Sequence, residues 1–380
     1  MASQITNYKC PACTGPLHFV GASGMLECDF CGAKYDVAQI EALYAEKEAK
    51  AVAATEQANA KAEQNRQKIA EMESQGWDTS SLSSDWGTEA DGMKAYSCPS
   101  CGAELICDES TAATSCPYCD SPTVVPGQFS GALKPDLIIP FKLSKKDAVA
   151  ALKNHYKGKP FLPSSFSGGN RVEEVKGIYV PFWMFDGTAR GSARYEATRS
   201  RTYRRGNEEV TETDHYDVFR AGHLSFEKVP VDASSKMPDD YMDSIEPFDY
   251  AELKSFSTAF LPGFLADKYD VTVEQSRDRA DERCKHTLSA ALQDSVTGYE
   301  TCVPLNEDLG LERGKVHYAL MPVWMLNTKW NGKDYLFAMN GQTGRLVGDL
   351  PMSWGKFWAT FAAIAVPLSI LGTFIATHLL

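Results

Sequence analysis

The sequence predicts an α+β protein with two small zinc ribbons, a long helical spacer, a mainly antiparallel β-domain with inserted helices, and one C-terminal transmembrane helix. Three observations carry this prediction. One cysteine pattern occurs twice, strand-like segments separated by turn dipeptides fill about 170–350, and positions 357–380 contain no Asp, Glu, Lys or Arg. A chain of 380 residues is long enough for two or more domains.

The repeated pattern is C-x2-C-x14-C-x2-C, and its two copies are offset by 88 residues. Two C-x2-C pairs place four sulfurs around one ion, which is the closed tetrahedral geometry of structural zinc sites. Iron also binds four thiolates and is the main alternative. We therefore predict zinc ribbons at 8–37 and 96–125, holding two structural Zn2+ ions, with the ligands Cys10, Cys13, Cys28, Cys31, Cys98, Cys101, Cys116 and Cys119.

The three other cysteines, Cys107, Cys284 and Cys302, have no partner at metal-ligand spacing, so we interpret them as packing residues. Paired cysteines that bind metal indicate a reducing compartment. Residues 1–9 contain no apolar run, so no signal peptide is expected there.

Residues 38–74 are rich in Ala, Glu, Lys and Gln and contain no Gly or Pro, which predicts a long helix. Its large aliphatic residues are sparse, so we expect a solvated spacer of about 55 Å, or a weak coiled coil through which chains could self-associate. The Ser/Gly/Asp-rich segment 75–95 is predicted to be a flexible linker.

The range 133–352 is predicted to be the α+β domain. Ser144 with Asp147, and Thr272 with Gln275, have capping-box spacing before helices that end near Gly158 and about residue 296. Three dipeptides predict hairpin turns: Asp186-Gly187, Gly206-Asn207 and Asn331-Gly332. Two related segments begin at Pro181 and Pro322, and their Trp residues are expected in the core.

The Gly206-Asn207 turn would set arginines opposite acids across two strands, for example Arg201 opposite Glu212 and Arg199 opposite Asp214. This arrangement accounts for the arginine cluster without nucleic acid. The formal net charge of -12, from 38 Lys and Arg against 50 Asp and Glu, also opposes broad affinity for phosphates.

The uncharged range 357–380 is long enough to cross a hydrocarbon core of about 30 Å as a helix. Trp354 and neighbouring aromatic residues stand where an interfacial belt is expected, and Lys356 and Arg345 precede the span. The positive-inside rule then predicts a single-pass cell-membrane protein with its N-terminal bulk in the cytoplasm. A buried helix of a soluble core is the alternative.

No catalytic motif is found, and we predict no enzyme activity. The segment 310–315, GLERGK, is one spacer short of a phosphate-binding loop. The acids Asp239, Asp240, Asp243 and Glu246 could bind a cation, but we interpret them as a solvated acidic loop.

Several segments resemble a known family: CPAC and CDFC in the first ribbon, KGIYVPFWMFDG, VPVDASSKMPDDYMDSIEPFDY, FLADKYDV and YLFAMNGQTGRLVGDLP. They are similar to bacterial proteins of Gram-positive lineages called transcription factor IIB-type zinc ribbon-containing proteins, some of them labelled replication-restart helicase-like. The resemblance covers nearly the whole chain. It implies zinc at the eight cysteines named above and supplies no catalytic residue.

The sequence thus predicts a membrane-anchored cytoplasmic zinc-ribbon protein that acts as a binding or scaffold protein, with a protein as partner. The alternative is a zinc-ribbon protein that binds nucleic acid at the membrane, in transcription or replication. Neither ribbon has the basic surface that this alternative needs, because no Lys or Arg lies between Cys98 and Cys119 and the first ribbon has more acids than lysines.

Overall fold

The structure is a computed structural model, and it describes residues 8–13, 15–73, 75–90, 92–108, 110–111, 115–122, 124–127, 133–167, 174–205 and 208–378. The chain forms two compact units. Unit 1 takes its residues from 1–70, 191–221 and 296–308, and unit 2 takes its residues from 71–190, 222–295 and 309–380. Each unit is therefore assembled from three separate stretches of the sequence.

The secondary structure is mixed, which confirms the predicted fold class. The helices are α1 (Val37–Glu73), α2 (Lys145–His155), α3 (Ser164–Ser167), α4 (Asp239–Ile245), α5 (Val273–Asp294) and α6 (Trp354–His378). The strands are β1 (Leu17–Val20), β2 (Met25–Cys28), β3 (Lys34–Tyr35), β4 (Met93–Ser97), β5 (Glu104–Asp108), β6 (Val125–Gly127), β7 (Leu137–Ile138), β8 (Lys176–Arg205), β9 (Glu208–Asp232), β10 (Lys254–Ser255), β11 (Leu265–Asp267), β12 (Thr301–Trp330), β13 (Lys333–Asn340) and β14 (Leu346–Gly348).

Unit 1 contains the antiparallel sheet β1-β2-β3, most of α1, and parts of the three long strands β8, β9 and β12. The first turns of α1 pack on the ribbon, because Ile40 is buried and the Lys9 amide donates a 2.7 Å hydrogen bond to the Tyr44 hydroxyl. Further along α1, Arg66 pairs with Asp308 at 3.2 Å. The helix is mostly exposed, as predicted, but it is held against strands of its own unit and is not a free spacer.

The register predicted for the arginine-rich strands is correct. Arg201 pairs with Glu212 at 2.7 Å, and Thr202 lies 2.9 Å from Thr211 between their hydroxyl oxygens. The Gly206-Asn207 turn itself lies outside the described residues. Arg199 pairs with no acid among the described residues: its guanidinium donates to the Gly298 carbonyl at 2.6 Å and lies over the Tyr299 ring.

Unit 2 is built on a large mixed sheet in which most strand pairs are antiparallel. Across the sheet, the order of hydrogen-bonded strands is β10-β7-β12-β8-β11-β5-β4-β6. In addition, β13 pairs with β12, and β14 pairs with β13. The β11 strand runs parallel to β8 and antiparallel to β5. Large side chains such as Trp183, Tyr179 and Tyr318 are fully buried between this sheet and the surrounding elements. Burial of these aromatic side chains is a major source of the unit's stability.

The prediction of a turn at Asp186-Gly187 is wrong, because β8 runs straight through both residues. The two Asp186 carboxylate oxygens bind the Lys228 amide at 2.8 Å and the His317 ring at 3.1 Å. A Cβ atom at Gly187 would lie 2.8 Å from the Glu312 carbonyl oxygen. Glycine is therefore needed here because two backbones approach closely. An Asp-Gly dipeptide at such a site cannot be distinguished by sequence from one in a turn.

The other turn and helix predictions hold within the described residues. Asn331 and Gly332 both have positive φ, and Trp330 pairs with Lys333 across a two-residue hairpin loop. Both predicted capping boxes form, at the starts of α2 and α5. The acids predicted as a solvated loop instead form α4 and its C-terminal end. Asp239, Asp243 and Glu246 pair with arginines of α5, so they are not an open cation site.

The segment predicted as a flexible linker, 75–95, is packed against the large sheet. Trp77 contacts Phe185 with ring centroids 4.6 Å apart, and Trp86 is buried against Phe256. The Asp78 amide donates to the Gly314 carbonyl at 2.9 Å. The free energy gained by burying these two tryptophan side chains orders a segment whose remaining composition is typical of a linker.

The last helix, α6, includes the stretch Trp354–Thr373, the one helix in the described part of the chain that is long and apolar enough to cross a membrane. This stretch is not buried against the rest of the protein. Large apolar side chains such as Trp358, Leu368 and Ile370 are exposed.

Candidate metal centres

The first centre lies in unit 1 and brings together Cys10, Cys13, Cys28 and Cys31. Their sulfur atoms all lie within 4.8 Å of one another, with Sγ–Sγ distances of 3.6 Å for Cys10–Cys31 and 3.4 Å for Cys13–Cys28. A tetrahedral ion with metal–sulfur bonds of about 2.3 Å has sulfurs about 3.8 Å apart. The four side chains are therefore placed to hold one metal ion.

The second centre lies in unit 2 and brings together Cys98, Cys101, Cys116 and Cys119, again within 4.8 Å. The Sγ–Sγ distances are 3.6 Å for Cys98–Cys119 and 3.6 Å for Cys101–Cys116. The structure therefore brings the eight cysteines together in the two groups of four that their spacing in the sequence predicted. Each contributes four donors to one position, which leaves no coordination place for water at a tetrahedral ion.

The backbone after three of the four cysteine pairs follows one geometry that the sequence analysis missed. Gly32, Gly102 and Asp120, each directly after the second cysteine of a pair, have positive φ. This bend lets an amide fold back onto the first cysteine's carbonyl, as in Gly102 N–H to Cys98 O at 2.8 Å. Glycine favours that conformation, so the C-x2-C-G sequences at Cys31 and Cys101 were a readable signal.

Without an ion, the thiols within one centre differ in proton affinity. Burial acts to raise the pKa of Cys10, but hydrogen bonds from the Tyr35 hydroxyl and from the amides of Cys13 and Ala12 lower it to about 6. The Gly15 amide acts to lower the pKa of Cys13, but the neighbouring thiols of Cys28 and Cys31 raise it to about 12. One thiolate is stabilised at the expense of its neighbours, so a bound cation would favour the deprotonation of all four sulfurs together.

The same contrast holds in the second centre. Burial opposes ionisation of Cys98, but the amides of Cys101 and Ser100 and the Cys119 side chain lower its pKa to about 7. Burial raises the pKa of Cys116 far above the ordinary thiol range. The chemistry of the donor set fits a metal with a preference for thiolate, and zinc in a ribbon is consistent with it.

The surroundings of the second centre make it part of the core of unit 2. Cys98 and Cys116 are buried in one cluster with Leu105, Ile178 and Met321. Strand β5, which lies between the two cysteine pairs, joins β11 in the large sheet. The ranges 96–125 and 133–352, predicted as separate domains, therefore contribute strands to one sheet, while their sequence boundaries remain a prediction.

Polar contacts reinforce this attachment. The Tyr118 hydroxyl donates to Asp267 at 2.6 Å, and the Ser234 hydroxyl donates to the same carboxylate oxygen at 2.6 Å. The Asn327 side-chain amide donates to the Tyr118 carbonyl, and Lys176 binds the Cys116 carbonyl at 3.4 Å. The loop that carries the second cysteine pair is therefore held from several elements of the sheet.

The first centre has a different environment. Cys31 is exposed, and the strands β1 and β2 leave Phe19 with 60% of its surface exposed. Phe30 is exposed as well, although its ring contacts Tyr203 at 5.4 Å between centroids. Lys9 pairs with Asp214 at 2.8 Å and Lys34 with Glu27 at 2.9 Å, so both described lysines of this ribbon are neutralised by acids.

The remaining cysteines are not part of a metal centre within the described residues. Cys107 and Cys284 are buried, and burial raises the pKa of both thiols, which agrees with their predicted packing role. Cys302 is partly buried.

Two four-cysteine centres, a large mixed sheet and an apolar C-terminal helix together define a class of ribbon-containing α+β proteins. A Bacillus subtilis (strain 168) protein described as "Uncharacterized protein YdjG" is 33% identical to this chain over 334 residues, covering 75% of this chain and 96% of the relative. The chain therefore belongs to the same family as YdjG. No family profile matches the chain, and no solved structure matches it. The predicted resemblance to a Gram-positive family is supported, whereas the transcription factor IIB-type label gains no support from these matches.

Proposed function

We propose that this protein is a membrane-anchored zinc protein in which the second ribbon stabilises the fold and the first ribbon binds a protein partner. The observation that carries the proposal is the contrast between the two centres. Cys98 and Cys116 lie in the core of unit 2, whereas the first ribbon exposes Phe19 on its small sheet and Phe30 in the turn after β2. Exposed aromatic side chains on a rigid element favour protein recognition.

The proposed metal is zinc in both centres, with a structural role. Eight thiolates in two closed sets are the ligands that zinc prefers, and a closed set offers no site for substrate or water. Purified protein from zinc-supplemented cells should hold about two zinc ions per chain by elemental analysis. A content dominated by iron, or clearly below two ions, would contradict the assignment.

The proposed anchor is α6. A helix of the length of Trp354–Thr373 spans about 30 Å, and large apolar side chains along it are exposed, unlike those of a soluble core helix. Lys356 and Arg345 precede the span, which favours a cytoplasmic location for both units. Reduced thiol centres fit that compartment.

A protein partner is favoured over nucleic acid by the charges of the first ribbon. Its described lysines, Lys9 and Lys34, are already paired with acids, and nucleic-acid binding depends on cations that are available to phosphates. The exposed surface near Phe19 and Phe30 is apolar and aromatic instead.

Crosslinking of the tagged full chain in its own membranes tests the partner. Phe19→Ser should abolish specific protein crosslinks, and nuclease should leave the wild-type crosslinks intact. Leu305→Ser is the matched control, because Leu305 lies in the same unit and is also 60% exposed. Crosslinks that disappear with nuclease, or that survive Phe19→Ser, would reject recognition of a protein by the first ribbon.

A further inference from the structure

The loop after α2 lies against the first turn of α6. The Ser353 amide donates to the Phe161 carbonyl at 2.7 Å. The Lys356 ammonium donates to the Leu162 carbonyl at 2.7 Å and to the Ser164 hydroxyl at 2.9 Å. The rings of Phe161 and Phe357 meet edge to face, with centroids 5.6 Å apart. Four contacts thus fix this loop at the beginning of the apolar helix.

The segment that leads into this loop, including α2, is basic in an acidic protein. Between 142 and 159 the sequence has six lysines and one acid, whereas the whole chain has 38 basic and 50 acidic residues. The one acid, Asp147, is occupied by the capping box with Ser144. Lys157 and Lys159 are exposed at the end of this segment, and within the described part of the chain neither pairs with an acid.

Lys159 precedes Phe161 by two residues, so their Cα atoms are at most about 7 Å apart. The headgroup layer on one side of a bilayer is about 5–8 Å thick. If α6 enters the membrane near Phe357, a lysine side chain in this loop therefore reaches the layer in which lipid phosphates lie. An aromatic ring beside two lysines is also the composition that favours a membrane interface.

We propose that the loop 157–162 is a second membrane contact, in which Lys157 and Lys159 bind the headgroups of anionic phospholipids. This inference rests on the proposed anchoring by α6. Its consequence is that the loop fixes unit 2 close to an anionic leaflet, whereas α6 by itself would act only as a tether. The contact would be electrostatic and therefore sensitive to salt.

The test uses the full, zinc-loaded chain in nanodiscs of phosphatidylcholine alone or of an equal mixture with phosphatidylglycerol. Amide hydrogen exchange is followed for peptides that cover 156–166. We expect exchange roughly tenfold slower in the anionic discs at about 0.1 M salt, because two lysines at about fivefold each would give about 25-fold and partial screening reduces this. High salt should remove the difference.

The double variant K157Q/K159Q should lose the dependence on anionic lipid. The matched control is K145Q/K146Q, which makes the same charge change at the other end of α2, about 16 Å along the helix axis. That separation exceeds the Debye length of about 10 Å at 0.1 M salt, so this variant should behave as wild type. An equal loss in both variants would overturn the assignment to the loop.

Two further outcomes are decisive. If the chain floats with both kinds of bilayer but 156–166 exchanges alike in both, the loop contact is wrong and the anchor stands. If the chain does not remain with lipid at all, the proposed anchoring is wrong, and the loop contact with it. Inorganic phosphate is added to the phosphatidylcholine discs as a separate arm, and slowing there would identify a free-phosphate site and overturn the lipid contact.

Discussion

The hydroxyl of Tyr118 donates a 2.6 Å hydrogen bond to the carboxylate of Asp267, a residue 149 positions further along the chain. Tyr118 stands between the two cysteines of one pair in the second centre, and Asp267 ends β11 in the large sheet. This bond joins the loop that would bind the metal to the strand that would depend on it. Both residues are buried, so water does not replace the bond when it is lost.

Replacing Tyr118 with Phe should therefore destabilise unit 2. We expect a loss of about 1–3 kcal/mol in the free energy of unfolding, because a buried acceptor loses one of its two donors. This loss is measured by denaturant unfolding of the metal-loaded protein, with amide hydrogen exchange in β5 and β11 as the probe. Tyr96→Phe is the control in the same ribbon, since the Tyr96 hydroxyl makes no hydrogen bond to another residue that the structure describes. A similar loss in both variants would attribute the effect to the ring environment and not to Asp267.

Asp267 should also make stability depend on pH. Burial raises its pKa to about 7, against its ordinary value near 3.8. The folded state then binds a proton that the unfolded state releases, so the contribution of Asp267 to stability is greatest below about pH 4 and is lost as pH rises through 7. The fall from this group is on the order of 4 kcal/mol at most. Unfolding of Asp267→Asn should show a flatter pH profile than wild type. An unchanged profile would exclude Asp267 as its source.

The two metal centres should respond differently to mutation. Cys116→Ser should leave unit 2 largely unfolded, because Cys116 lies in its core and structural zinc contributes on the order of 10 kcal/mol, comparable to the stability of a domain. Cys28→Ser should affect only the ribbon of unit 1. Hydrogen exchange resolved by peptide distinguishes the units. Loss of protection in β11 and β5 after Cys28→Ser would contradict this division.

Gly314 should not tolerate a methyl group. A Cβ atom there would lie 2.5 Å from the Asp186 carbonyl oxygen, a distance that real side chains do not adopt. Gly314→Ala should cost about 1–3 kcal/mol through displacement of the backbone, measured as a lower unfolding midpoint. Gly76→Ala is the control, because a methyl group at Gly76 would meet no atom within 4 Å. Equal stability of the two variants would contradict this prediction, because it would mean that β8 and β12 move apart at Gly314 without a loss in the free energy of unfolding.

The two groups of four cysteines could be predicted from the sequence because the geometry of a C-x2-C pair is local. A C-x2-C pair sets two sulfurs on one side of a turn whatever the rest of the chain does, and the Gly after Cys31 and Cys101 marks the bend. The starts of α2 and α5 were also predictable, because capping boxes are formed by residues three positions apart. The Asn331-Gly332 hairpin was predictable for the same reason.

The features that the sequence did not predict depend on contacts between residues far apart in the chain. Asp186-Gly187 has the composition of a turn, and only the neighbouring strand beside Gly187 explains why β8 continues. Segment 75–95 has the composition of a linker, and its order comes from pockets for Trp77 and Trp86 that the large sheet supplies. Local sequence does not encode the presence of such partners.

The sequence by itself therefore determined the two groups of four cysteines, the helix starts and the apolar character of α6, because each depends on short-range sequence patterns. The tertiary structure decided that the two ribbons are not equivalent. Their cysteine spacing is identical, but β5 pairs with β11 and Tyr118 with Asp267, whereas the first ribbon keeps Phe19 exposed. Burial is a property of what surrounds a motif, so two copies of one motif can acquire different roles.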